Sequence, residues 1–231
     1  MTQTLTEPKL LTFEEYRFYQ SNDDRLYELY KGRLIPLDIP TNLHTRICDF
    51  LVYELKNYLV SKNRDLIVGI TTGVRTEINS SRIPDVVICS RELWEILGKR
   101  AGGGILDFGE TPRLVVEVTS DNWREDYVEK RREYALIQVP EYWIINPNKK
   151  VVLVLNYNPL NQEYEEQEFK PGSSLISREF PDLFLEVNTI ISPPIVEDLI
   201  RVKQWQYQEV VQELNQVEKQ LELEKIPEGV T

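Results

Sequence analysis

The sequence predicts an α/β domain followed by a helical tail, and three observations support this prediction. The chain has 231 residues, 41% of them hydrophobic, which is enough for one domain of ordinary size with an appendage. Two short apolar runs, at residues 83–88 and 114–119, are typical of buried strands. Other segments, such as residues 42–61, repeat apolar residues at helical spacing. We therefore place the domain at residues 1–192 and the tail at residues 193–231.

Local patterns give the other elements of the domain. Thr12 and Glu15 form a capping box that begins a short helix, whereas residues 1–10 are predicted to be disordered. The glycine-rich residues 99–110 predict a loop. Asn42 is the expected N-cap of the helix over residues 42–61. The remaining predicted elements are a hairpin over residues 26–37, strands within 65–78, a helix over 91–97, a helix over 123–138, and strands near 141–146, 151–157, 162–169, 175–176 and 183–187.

The composition favours some classes of protein over others. A net charge of -11 argues against tight non-specific binding to DNA, although part of the acidic excess lies in the tail. The two cysteines, Cys48 and Cys89, lack zinc-like spacing and suit a reducing compartment. The sequence shows neither an apolar signal core nor a stretch long enough to span a bilayer, so we expect a cytoplasmic protein without a membrane partner.

Two carboxylates in the apolar runs are the first candidate functional residues. Val115, Glu117 and Thr119 share one face of a run that is apolar on its other face too. Because burying an unpaired charge is costly, Glu117 indicates either a structural ion pair or a functional acid. Asp85 follows Pro84 at the start of a strand, where an acid can also serve as a turn or capping residue. Together the two acids predict a shared divalent cation, Mg²⁺ or alternatively Mn²⁺, and phosphodiester hydrolysis as the chemistry.

Lys130 is the candidate basic residue. It lies three residues after Tyr127 and four before Tyr134, so the three side chains share one face of the predicted helix. A lysine on an inward face can deliver its ammonium group to a polar site, where it would hold the attacking water or stabilise negative charge. The alternative is an ordinary ion pair between Asp126 and Lys130 on a solvated face.

Two further residues have weaker claims. Glu28 shares a strand face with apolar neighbours and would be a third acid, or else a structural partner of Arg25 or Arg33. His44 is the only histidine and lies near a helix N-terminus, where the helix dipole favours neutral imidazole. We expect a surface or capping role for His44, with contact to the active site as the alternative. A single histidine makes a zinc site or a Ser-His-Asp triad an unfavourable interpretation.

The order of these residues along the chain carries a resemblance to a known family. The matching residues are Tyr27-Glu28-Leu29 with Gly32, His44, Pro84-Asp85, Val116-Glu117-Val118 with Ser120, Asp126, Lys130, Tyr134 and Pro140-Glu141-Tyr142-Trp143. With them, the sequence resembles the Uma family of bacterial restriction endonucleases, which belongs to the PD-(D/E)XK nuclease superfamily. The resemblance covers roughly residues 12–190 and leaves the tail outside.

The resemblance implies a restriction-endonuclease-like core, with a mixed β-sheet flanked by helices. It also implies that Asp85 and Glu117 are metal ligands and that Glu28 is an accessory acid. The sequence departs from the superfamily pattern at Thr119, where a Glu-x-Lys motif would place the lysine. The resemblance implies that Lys130, on the following helix, takes that role.

We therefore predict a Mg²⁺-dependent endonuclease that cleaves DNA. One alternative is an interaction protein that keeps the nuclease fold without turnover, which the acidic charge and the tail favour. Another is a nuclease that acts on RNA or on structured single strands.

Cutting both DNA strands generally needs two active sites, so we expect a homodimer. A heptad-like repeat in the tail predicts either a coiled coil between chains or one amphipathic helix lying on the domain; its residues are Ile200, Tyr207, Val210, Leu214, Val217 and Leu221.

Overall fold

The structure is a computed structural model that describes residues 10–119 and 124–224, with side chains described as far as Leu221. The disorder predicted for residues 1–9 and the predicted helix start at Trp123 lie outside the described residues. So does Ser120, one of the residues that carry the family resemblance. The chain divides into two compact units, Met1–Pro193 and Pro194–Thr231.

Helices and strands alternate along the first unit. Within the described residues, the helices are α1 (Phe13–Arg17), α2 (Asn42–Ser61), α3 (Arg91–Lys99), a π-helical turn (Glu125–Lys130) that continues into α4 (Arg131–Leu136), α5 (Val187–Ile191) and, in the second unit, α6 (Val196–Glu224). The strands are β1 (Tyr27–Tyr30), β2 (Arg33–Pro36), β3 (Leu66–Gly69), β4 (Gly73–Glu77), β5 (Ser80–Arg82), β6 (Val86–Ser90), β7 (Ile105–Leu106), β8 (Leu114–Val118), β9 (Glu141–Asn146), β10 (Val151–Asn158), β11 (Glu163–Phe169), β12 (Ser174–Leu175) and β13 (Leu185–Glu186).

Most strands fall into two mixed sheets flanked by helices, as predicted. The larger sheet has the order β11-β10-β9-β8-β6-β3 and the smaller has the order β2-β1-β5-β4-β7. Each combines antiparallel pairs with one parallel pair, β8 with β9 in the larger sheet and β4 with β7 in the smaller. A further antiparallel pair joins β12 to β13. The site described below takes its residues from both mixed sheets.

The centre of the larger sheet explains why a buried acid stands there. Every residue of β8 and of β9 is buried, as expected for strands whose two faces are both covered. Glu117 therefore enters the interior with its apolar neighbours and is only 3% exposed. The core on its side of the sheet includes Tyr134 and Tyr142, whose rings meet edge to face at 5.0 Å between centroids.

Two predicted details are wrong. The N-cap of α2 is Thr41 and not Asn42, because the Thr41 hydroxyl accepts a hydrogen bond from the backbone N–H of His44 at 3.2 Å. Both residue types can cap a helix, and the extended backbone of Thr41 decides between them. The predicted loop at residues 99–110 contains strand β7, whose pairing with β4 is a long-range contact that local sequence does not encode.

The predicted helix over residues 123–138 differs in its first described turns. Residues Glu125–Lys130 form a π-helical turn, and α4 begins only at Arg131. A π-helical turn accommodates an extra residue and occurs frequently at functional sites. Here the wider turn carries Asp126 and Lys130, and both side chains are buried.

Candidate active site

Lys130 joins acidic residues from both mixed sheets. Its ammonium nitrogen lies 2.8 Å from Glu117 Oε2 on β8 and 3.8 Å from Glu28 Oε1 on β1. It also lies 3.2 Å from Oδ1 of Asp126, one turn earlier on the same helical segment. The ion pair expected between Asp126 and Lys130 therefore exists, but on a buried face and not a solvated one.

Both oxygens of Glu117 have a donor. Lys130 donates to Oε2, and the phenol of Tyr134 donates to Oε1 at 2.7 Å. Burial raises the pKa of Glu117 well above its ordinary value; Lys130 opposes this rise, while Asp126, Asp85 and Glu28 add to it. The carboxylate thus stands in an environment with more negative than positive charge.

Lys130 stays charged in this environment. Burial by itself would lower its pKa, but Glu117, Glu28 and Asp126 raise it well above the ordinary lysine value. Burial also raises the pKa of Asp126, and the nearby charge of Lys130 opposes this rise. The arrangement holds one ammonium group among three carboxylates.

Asp85 lies directly before β6, opposite β8 in the antiparallel pair. Its Oδ2 accepts a hydrogen bond from the backbone N–H of Val118 at 2.7 Å, so it is fixed beside Glu117. Its Oδ1 lies 2.8 Å from Nε2 of His44, at the first turn of α2. The side chain of Asp85 is 23% exposed, against 4% for that of Glu117, so Asp85 marks the open end of the site. His44 therefore contacts the site, which was the less expected of its two roles.

Glu28 is held from its other side by Arg82. Arg82 Nη1 donates to Glu28 Oε2 at 2.9 Å, and the backbone N–H of Ile83 donates to Oε1 at 2.8 Å. Glu28 therefore does form a structural ion pair, but with Arg82 and not with Arg25 or Arg33. Its Oε1 still faces Lys130, so one carboxylate connects the two basic side chains.

The residues present fit a divalent cation with oxygen ligands. Asp85, Glu117, Asp126 and Glu28 bring four carboxylates together, and Lys130 is in contact with three of them. A carboxylate has about four lone-pair sites, so the hydrogen bonds described above leave acceptor capacity on each group. Mg²⁺ is usually bound by one or two carboxylates together with substrate phosphates, and the partly exposed Asp85 beside Glu117 offers such a pair.

Comparison with known proteins agrees with the predicted nuclease-like fold. The model of the Uma2 family, described as "Putative restriction endonuclease", matches residues 13–188. The chain belongs to this family. Its fold is also similar to that of a solved chain from Anabaena variabilis, described as a putative nuclease belonging to DUF820. The similarity has a TM-score of 0.63 and 16% sequence identity, and it covers 79% of this chain and 98% of that one. No curated protein sequence matches.

Sequence reasoning missed two features of this Uma2 family member. Arg82 and its partner Glu133 are both fully buried, yet Arg82 reads in the sequence as an ordinary residue at the edge of an apolar run. Cys48 lies one helical turn after His44 and close to Asp85. The four-residue spacing of His44 and Cys48 on a predicted helix was the available signal for the second feature.

Two other observations bear on the surroundings of the site. A surface cleft of about 590 Å³ is lined by residues from the segment 127–138 and by residues 157 and 162–164, and none of the four predicted site residues lines it. The position of this cleft therefore does not coincide with that of the buried acids. Among the residues that the structure describes, no helix combines the length and apolar character needed to cross a membrane.

Proposed function

We propose that this chain is a divalent-metal-dependent endonuclease that hydrolyses phosphodiester bonds in DNA. The observation that carries the proposal is the convergence of Lys130, Glu117 and Glu28 beside the partly exposed Asp85. Membership of the Uma2 family and the nuclease-like fold support it. The net charge of -11 implies that DNA binding depends on local contacts and not on general attraction.

Asp85 and Glu117 would hold Mg²⁺, with Mn²⁺ as the alternative ion. The ion would supply charge neutralisation at the phosphate and lower the pKa of a water molecule. Asp85 suits the ligand role because two hydrogen bonds fix its carboxylate while part of it remains open to solvent. Glu117 suits it because it lies beside Asp85 and its two oxygens, which accept from Lys130 and Tyr134, keep further lone pairs for an ion.

Lys130 would position the attacking water or stabilise the negative charge that develops on the phosphate. Its side chain is only 10% exposed, so the ammonium group meets the site from within the protein. Glu28 would assist by holding Lys130 in place, and Arg82 keeps Glu28 itself fixed. The four residues thus divide into two ligands, one basic group and one positioning acid.

The test is cleavage of supercoiled plasmid in Mg²⁺ or Mn²⁺ by the natural sequence and by Asp85→Asn. Mutation of a residue that only supports a metal ligand typically lowers activity about 10–100-fold. Because Asp85 would be a ligand itself, we expect Asp85→Asn to reduce the cleavage rate by at least as much. Asp107→Asn is the matched control, because Asp107 pairs with Arg75 at 2.8 Å outside the site. No cleavage by the natural sequence, over a range of salts and DNA forms, would contradict the proposal.

A second candidate function is an interaction protein without turnover. The net charge and the exposed apolar residues of α6 favour it. Thermal unfolding with added Mn²⁺ separates the two candidates, because a live site should stabilise the protein and Glu117→Ala should lose the effect. Running labelled RNA and structured single strands beside the plasmid tests whether DNA is the substrate.

We also infer a homodimer, since cutting both strands calls for two active sites. The apolar repeat predicted in the tail lies on α6, and its side chains are 40–71% exposed in the structure; they are Ile200, Tyr207, Val210, Leu214, Val217 and Leu221. Such a stripe favours pairing of two helices. Deletion of residues 197–231 should convert a dimer to a monomer in a measurement of mass in solution. A dimer that persists after the deletion would assign the interface elsewhere.

A further inference from the structure

We propose that His44, Cys48 and Asp85 form a binding site for a transition-metal ion of the Zn²⁺ class. One ring nitrogen, one sulfur and one carboxylate oxygen are available, and all three atoms lie within 4.8 Å of one another. The site shares Asp85 with the proposed nuclease centre. It does not require that this centre cleave DNA, so the two proposals can fail separately.

Helix α2 brings the first two ligands together. His44 and Cys48 are four residues apart, so their side chains lie on the same helix face. Helices that bind zinc through two histidines use the same spacing, as in the H-E-x-x-H motif. The Thr41 cap fixes the first turn, because its hydroxyl accepts a hydrogen bond from the backbone N–H of His44.

Asp85 provides the third ligand from a different element. Its Oδ1 lies 2.8 Å from His44 Nε2, and its other oxygen is fixed by the backbone of Val118. Ligand atoms around a tetrahedral Zn²⁺ stand about 3.3–3.6 Å apart, given metal–ligand bonds of about 2.0–2.3 Å. The nitrogen and oxygen would therefore separate by about half an ångström when the ion binds. Three protein ligands leave the fourth position to solvent, as in open zinc sites.

The ligand types determine which metal is favoured. Sulfur and imidazole nitrogen select Zn²⁺ and Co²⁺, whereas Mg²⁺ prefers oxygen ligands alone. Neutral imidazole is the form of histidine that binds metal. Burial raises the pKa of the Cys48 thiol, and the negative charges of Asp85 and Asp49 add to this rise; a bound dication would offset these charges. The thiol proton leaves to solvent as the metal–sulfur bond forms.

Co²⁺ is the probe, titrated into the full chain after dialysis against a chelator. We expect thiolate-to-Co²⁺ charge-transfer absorption in the near ultraviolet, which Zn²⁺ abolishes by displacing Co²⁺. Cys48→Ser should lose this absorption. Cys89→Ser is the matched control and should keep it, because Cys89 is fully buried in β6 and outside the cluster. His44→Ala should weaken Co²⁺ binding about tenfold or more.

Two results would overturn the proposal: no charge-transfer absorption from the folded natural protein, or the same absorption from Cys48→Ser. If circular dichroism shows that Cys48→Ser does not fold, alkylation of the natural protein replaces it. Zn²⁺ should then protect Cys48 from iodoacetamide, as read by peptide mass, and unchanged alkylation would refute the site. Plasmid cleavage in Mg²⁺ is measured separately on the natural protein, so a failure to bind Co²⁺ would not refute the proposed nuclease, and an absence of cleavage would not refute this metal site.

Discussion

Two buried basic side chains, Arg82 and Lys130, each stand among three carboxylates, and their geometries differ. Arg82 is 0% exposed and donates twice to Glu133, at 2.9 and 2.7 Å. A third nitrogen donates to Glu28 at 2.9 Å and to Glu125 at 2.6 Å. The guanidinium group also lies 4.6 Å from the ring centroid of Tyr30. Each side-chain nitrogen of Arg82 therefore donates to at least one carboxylate.

Lys130 has a looser arrangement. Its single nitrogen meets carboxylates at 2.8, 3.2 and 3.8 Å, a series that widens from Glu117 through Asp126 to Glu28. An ammonium group is a point charge on a flexible stem, whereas guanidinium is a rigid planar fork. Lys130 is therefore held by fewer directed hydrogen bonds than Arg82.

The comparison shows that burial of a charge does not by itself identify a functional site. Both clusters are buried and rich in acids, and Glu28 belongs to both. Each also has a partly exposed acid, because the side chain of Asp85 beside the Lys130 cluster is 23% exposed and that of Glu125 in the Arg82 cluster is 28% exposed. What separates the clusters is the geometry of the cation, a planar fork in one and a single nitrogen in the other. We interpret Arg82 as the support that fixes Glu28, and Lys130 as the group that meets the substrate.

Replacement of Arg82 should give the largest loss of stability. Arg82→Met leaves Glu133 buried without its cation and leaves Glu28 with only the more distant Lys130, and we expect a loss of about 3–5 kcal/mol in the free energy of unfolding. Arg82→Lys should recover only part of it, because lysine lacks the planar fork. Urea unfolding measures both. An exposed ion pair contributes at most about 1 kcal/mol to stability. If Arg82→Met lowered the free energy of unfolding by no more than this, Arg82 would not have the supporting role.

Replacement of Lys130 should cost less stability and more activity. Burial already raises the pKa of Glu117 and Asp126, so these acids can take up protons once Lys130→Met removes the cation. We expect a loss of about 1–3 kcal/mol in the free energy of unfolding. Plasmid cleavage should fall about 100-fold or more. Lys170→Met is the control, because Lys170 is a surface residue paired with Glu168. Full cleavage by Lys130→Met would remove the lysine from the mechanism.

The sequence predicted the Lys130 cluster better than the Arg82 cluster, for a physical reason. Glu117 interrupts an apolar run, and an acid in a covered strand needs a partner or a function. Lys130 shares a helix face with Tyr134, so its inward direction could be predicted from spacing. Arg82 carries no such signal, because its partners Glu28 and Glu133 are separated from it by more than fifty residues.

The errors in the fold have the same origin. The hairpin, the two acid-bearing segments and the helix over residues 42–61 depend on local patterns and were predicted. Strand β7 depends on pairing with β4, and the π-helical turn depends on how Asp126 and Lys130 pack into the interior. The contact of His44 with Asp85 joins residues 41 positions apart. Contacts of this kind follow from the assembled sheets and not from any one segment.

The smallest expected effects come from single hydroxyl groups, one in each cluster. Tyr134 donates to Glu117 at 2.7 Å, and Thr76 donates to Glu133 at 2.6 Å, both in buried surroundings. Tyr134→Phe and Thr76→Val each remove one donor while nearly preserving shape. We expect each to cost about 1–2 kcal/mol in the free energy of unfolding, measured in urea.

The two hydroxyl variants should differ in activity even where they agree in stability. Tyr134→Phe leaves Oε1 of Glu117 without its phenol donor and so changes a proposed metal ligand. Thr76→Val alters Glu133, whose other side-chain hydrogen bonds among the described residues come from Arg82. Titration of plasmid cleavage with Mg²⁺ should therefore shift for Tyr134→Phe and stay unchanged for Thr76→Val. If Thr76→Val moved the Mg²⁺ dependence equally, the two clusters would act as one unit, and the division between a support and a reacting group would be wrong.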